Sequence, residues 1–99
     1  MSKEFYGKTF INTNSDNERY GKQIELEYFK TQGKQENANT YGIEIIKTQM
    51  NGNKIYVEKK QINSITSYEN KAYKMLELLK RHKVTPVAMP YIIEDIVNG

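Results

Sequence analysis

The chain contains no cysteine and a single histidine. The first absence excludes a disulfide staple and any thiolate metal site, so a domain this small depends on its aliphatic clusters or on a partner subunit. The second excludes a histidine-rich metal cluster. Long apolar runs are also missing. No stretch approaches the roughly 18 residues of a membrane span, and residues 1–20 show no signal-peptide core, so the expectation is a cytoplasmic protein without membrane contact. Neither GxxxxGK nor GxGxxG occurs, which excludes nucleotide binding by those loops, and no cofactor is expected.

Ninety-nine residues, 37% apolar and 27% charged, describe a folded domain with one modest core. Eight Tyr and three Phe supply much of its possible volume. The formal charge of +3 is unevenly placed. Residues 1–50 carry seven basic and seven acidic side chains, whereas residues 51–99 carry eight and five. The second half therefore permits an acidic partner without requiring one.

Ile24–Tyr28, Tyr41–Ile46 and Ile55–Lys59 alternate apolar and polar residues with period two, each predicting a strand with one buried face. Thr31–Thr40 is polar and without periodicity, and reads as a mobile hairpin loop. For the next turn, a two-residue Asn51-Gly52 loop would set Ile45 opposite Glu58. A three-residue Met50-Asn51-Gly52 loop with a glycine bulge pairs Ile45 with Val57 instead, and is the expected register because it keeps most large aliphatics on one face. Gly42 marks a bulge or a close approach within its strand. Residues 1–19 hold Phe5, Tyr6, Phe10 and Ile11, then a polar segment with nothing to bury. They form either a flexible arm or an additional strand, and residues 20–99 form the domain proper.

Near residue 66 the period changes to 3.6. Thr66-Ser-Tyr-Glu69 fits a capping box, and the helix that follows runs to about His82, with Tyr68, Ala72, Met75, Leu76 and Leu79 on an arc of about 100°. Pro86 stops it, and Pro90 suits the first turn of a second helix carrying Ile92, Ile93, Ile96 and Val97 on a common side. Strands preceding helices exclude a doubly wound parallel sheet. The predicted fold is α+β: a small antiparallel sheet of three strands, or four with the N-terminal segment, then a longer helix and a short C-terminal helix packed on one face.

Candidate chemistry is sparse. His82 stands beside Arg81 and Lys83 where a helix C-terminus favours positive charge. Glu94 and Asp95 are adjacent on a helix and so point about 100° apart, which suits a solvated face better than general acid/base work. Ser64 and Ser67 serve helix initiation rather than nucleophilic attack. No catalytic or metal site is therefore expected. Two surfaces remain. Phe29, Ile46 and Tyr56 have the parity opposite to Leu26, Ile45 and Val57, so they are expected to emerge together on the sheet face away from the helix, as an interface for a protein partner or for self-association. Lys71, Lys74, Lys80, Arg81 and Lys83 form a basic helix face that offers phosphate contacts to a nucleic acid.

Tyr41-Gly-Ile43, Ile62-Asn-Ser-Ile65-Thr66, the helix with Leu76, Leu79 and His82, Thr85-Pro86-Val87 and Ile92-Ile93-Glu94-Asp95 together resemble a small family of uncharacterised proteins from clostridia and related Gram-positive bacteria. The resemblance covers residues 41–97 and brings no activity to any residue, while the Asn-rich N-terminal region stands outside it. The expected function is a noncatalytic protein-interaction or regulatory module, with weak nucleic-acid binding as the alternative.

Overall fold

The computed structural model describes residues 2–13 and 22–99. Four strands, β1 (Ser2–Thr13), β2 (Lys22–Gln35), β3 (Ala38–Asn51) and β4 (Lys54–Thr66), precede α1 (Glu69–Arg81) and α2 (Met89–Asn98). The sheet is antiparallel throughout in the order β1-β2-β3-β4, as the α+β reading requires. Of the two forms open to the N-terminal segment, Ser2–Thr13 takes the strand. Most of the Asn-rich stretch, residues 14–21, lies outside the described residues.

The strands far outrun their apolar alternation. Thr31–Thr40 is not a loop: Glu36 and Asn37 take φ of 51° and 65°, closing a two-residue turn on the Gln35–Ala38 pair. Positive φ at both central positions is the type I′ requirement, and Asn tolerates it. Ladder hydrogen bonds need no apolar side chains, so polar flanks extend both strands to the turn.

The helices cover one face. Leu26 and Tyr28 of β2 pack with Ile43 and Ile45 of β3 against Met75, Leu76 and Leu79 of α1, Met89 and Ile93 of α2, and Val84 between them. Tyr28, fully buried, donates its hydroxyl proton to the Val84 carbonyl at 3.0 Å, fixing the inter-helix segment to the sheet. Burial pushes that phenol far above the usual tyrosine range. Tyr68 and Val97, expected in the buried stripes, are 60% and 57% exposed, Tyr68 as the N-cap of α1 and Val97 in the last turn of α2.

The β3–β4 register differs from the expected one. Asn51 pairs with Lys54 around a Gly52-Asn53 turn, so Ile45 faces Lys60 and Ile43 faces Ile62. Gly52 has φ of +64° at the first central position, the type II′ arrangement. Aliphatic matching misled the expectation because Lys54–Gln61 is exposed throughout; burial on one face does not set its parity, and the turn does. Gly42 does mark a bulge with close approach: the register shifts there, and a Cβ would run into the Ile62 carbonyl oxygen and come within 2.7 Å of the Thr31 hydroxyl.

No capping box forms at α1. The Thr66 hydroxyl accepts from the Tyr68 amide at 3.1 Å, while Glu69 turns towards Lys30. At the other end, Lys83 N–H bonds the Lys80 carbonyl and Val84 N–H the Leu79 carbonyl, with Lys83 at φ of +52°. This pair of bonds is a Schellman motif with lysine in the position that favours glycine.

Candidate functional site

The face of the sheet opposite the helices carries no covering element among the described residues, and register decides who stands on it. From β1 come Lys3, Phe5, Lys8 and Phe10, from β2 Glu25, Glu27 and Phe29, from β3 Glu44, Ile46, Thr48 and Met50, and from β4 Ile55, Val57 and Lys59. Phe5 and Phe10, five residues apart, share this face only because the register shifts at Tyr6, between Phe5 and Gly7, and turns Tyr6 towards α1. No sequence pattern announces that bulge.

Phe29 and Ile46 are therefore together on the open face, as their parity predicts. Tyr56 is not with them. It pairs with Gln49, shares the helix side of the sheet with Ile45, and lies beyond the helices at 52% exposure; Val57 takes its place on the open face. One odd step in the register exchanges the two.

The patch is organised around aromatic and charged pairs. Phe5 meets Phe29 edge to face at 5.5 Å between centroids, and Lys3 stands 4.6 Å over the Phe29 ring while bonding Glu44 at 2.8 Å. Lys8 pairs with Glu25 at 3.5 Å and lies 5.8 Å over Phe10. Phe5, Met50, Ile55 and Val57 are each more than half exposed.

The basic helix face is less coherent. Lys71, Lys74, Arg81 and Lys83 are exposed, but Lys80 is half-buried with its chain against Gly7 of β1. Arg81 pairs with Glu77 at 3.6 Å, and Glu77 also accepts the Tyr6 hydroxyl proton at 2.6 Å. That hydrogen bond outweighs the opposing effect of desolvation and, with Arg81 and Lys80 nearby, holds the Glu77 carboxyl below its ordinary range. Lys71 and Lys74 rim a cleft of about 530 Å³ whose walls include Ile65, Met75, Leu78 and Ile96.

Lys30 is the residue that sequence reasoning missed. It continues the inward parity of Leu26 and Tyr28 and is 4% exposed, which its spacing and the acid at the start of α1 could have signalled. Its ammonium donates to Glu69 at 2.5 Å and to the Tyr73 hydroxyl at 3.0 Å, with Glu4 at 3.7 Å. Tyr73 in turn donates to Glu4 at 2.8 Å. Burial alone would lower the lysine, but the bonds to Glu69 and Tyr73 and the attraction of Glu4 outweigh it and hold the group above its usual range. A lysine so held stays protonated at neutral pH and serves as a clamp between β1, β2 and α1 rather than as a base.

Among the described residues no three His, Asp or Glu side chains gather as a metal site, and no helix is long and apolar enough to cross a membrane. His82 is the C-cap of α1, and Glu94 and Asp95 are exposed on α2. Comparison with curated proteins gives no match, and comparison with solved structures gives none. At the family level there is an answer, and it reaches further towards the N-terminus than the motifs of residues 41–97 suggested, taking in most of β1 and the Asn-rich segment. Residues 7–99 match a family of unknown function (DUF6514), and the chain belongs to that family.

Proposed function

We propose that the protein is a noncatalytic interaction module, acting in the cytoplasm, that binds a protein partner through the uncovered sheet face. The observation that carries this reading is the placement of Phe5, Phe29, Ile46 and Val57, one from each of the four strands, on a face with no covering element among the described residues. Among the described residues no ion pair reaches Glu27, which lies between Lys8 and Ile46 in the middle of the patch. The partner surface that fits is apolar with a basic group at its centre. A photo-reactive side chain placed at Phe10 or Ile46 in cells should give one discrete cross-linked species, absent when the probe is at Tyr91 or Glu94 on the helix side. Equal cross-linking at all four positions, or none at any, would contradict the reading.

A second reading is weak nucleic-acid binding. What favours it is Tyr68, 60% exposed with Lys71 standing 4.9 Å over its ring and Lys74 one turn further on. This offers one stacking platform beside phosphate contacts. Retention of RNA that survives replacement of Lys71 and Lys74 by Glu would dismiss it.

A further inference from the structure

β4 is an edge strand, and among the described residues no further strand pairs with its outer side. Eight successive residues, Lys54–Gln61, are exposed, and Ile55, Tyr56 and Val57 are 65%, 52% and 59% exposed on alternating faces. An uncovered edge of this kind is a template for pairing with another chain.

The two-residue turn fixes which backbone groups are offered. With Asn51 and Lys54 flanking it, the amides and carbonyls of residues 54, 56 and 58 point to β3, and those of 55, 57 and 59 point outward. Two copies meeting antiparallel about a two-fold axis normal to the sheet keep the same face up, so opposed residues share parity. Centred on Tyr56, no like charges oppose each other. Tyr56 faces Tyr56 of the second copy, Ile55 and Val57 face each other twice, and Lys54 faces Glu58 twice. Ile55 and Val57 then exchange backbone hydrogen bonds, and the tyrosines form the closer pair without them. A shift of the centre to Val57 sets Lys54 against Lys60 and Ile55 against Lys59. A shift the other way, to Ile55, sets Val57 against Asn53 and leaves Lys54 without an acid. The edge lysines thus oppose the neighbouring registers and support one.

We infer that β4 pairs with β4 of a second copy of this chain, antiparallel and centred on Tyr56, making one continuous eight-stranded sheet. The pairing uses the strand edge and does not rest on the sheet face proposed above. The overlap runs only from Asn53 to Lys59, so association is weak, with a dissociation constant on the order of 100 µM.

Sedimentation velocity of the whole chain over a concentration series tests this. Wild-type protein should show reversible dimerisation. Lys54→Glu sets like charges opposite each other twice in its own dimer, and so does Glu58→Lys, so each alone should bind itself about tenfold more weakly. An equimolar mixture of the two variants restores both opposite-charge pairs and should associate to within about twofold of wild type. A wild-type monomer up to about 1 mM, single variants that dimerise like wild type, or a mixture no tighter than its components would each overturn the inference. The readout is self-association of purified chain, so its failure is distinct from failure of the cross-linking pattern on the sheet face.

Discussion

Lys30 gives the sharpest energetic test. Its ammonium is 4% exposed, whereas Glu69 and Glu4, which neutralise it, are 48% and 57% exposed at their side chains. The two sides of the clamp are therefore unequal. Lys30→Met keeps the stem volume and leaves both carboxylates where water reaches them, so stability should change by no more than about 1 kcal/mol in either direction. Glu4→Gln combined with Glu69→Gln leaves the ammonium buried with Tyr73 as its one strong partner, and should cost about 3 kcal/mol. For a chain of this length that corresponds to a fall in Tm of roughly 12–24 °C. Urea unfolding followed by circular dichroism measures both. The pH dependence supplies a second arm. Because the folded lysine binds its proton more tightly than the unfolded one, its contribution is whole below about pH 10.4 and declines as pH rises towards the folded value. Wild type should lose stability above that pH by up to about 1.4 kcal/mol per unit more than Lys30→Met. If Lys30→Met destabilises as much as the double acid variant, or if the double variant is neutral, the reasoning is refuted.

Three further substitutions probe the frame that holds the open face. Tyr28→Phe removes the bond to the Val84 carbonyl inside the core and should cost about 1–2 kcal/mol in urea unfolding. Lys83→Gly relieves a left-handed residue at the end of α1, so it should raise stability by roughly 0.5–1 kcal/mol; a loss would show that the Schellman turn is not the constraint. Gly42→Ala drives a methyl group into the backbone of β4 and should destabilise by about 1–3 kcal/mol, read as a lower Tm.

What the sequence made legible followed from burial. Ala72, Met75, Leu76 and Leu79 show the helix period because α1 covers the core, and Pro90 opens α2 for a local reason that needs no tertiary context. Leu26, Ile43 and Ile45 show strand parity for the same cause. Where burial stops, so does the signal. Residues 54–61 are wet on both sides, and the exchange of Tyr56 for Val57 on the open face came from a turn whose position the aliphatics could not fix. The polar reach of β2 and β3 to the Glu36-Asn37 turn was hidden because backbone pairing leaves no apolar imprint. The bulge at Tyr6, which brings Phe5 and Phe10 together beside Phe29, is a backbone event with no residue signature of its own. Lys30 was legible in principle, since it extends the inward parity of its strand, but a charge at a core position is read outward until its partners are known.

The proposed interaction requires a sheet face that is accessible in the isolated chain and protected in the cell. Hydroxyl-radical footprinting of purified protein and of living cells compares the two states side chain by side chain. Phe5 and Phe10 on the open face, 52% and 39% exposed, should label in the purified protein and be protected in cells, while Tyr68 and Tyr91 on the helix side, 60% and 70% exposed, should label in both. Equal labelling of Phe5 and Phe10 in the two settings would contradict the account.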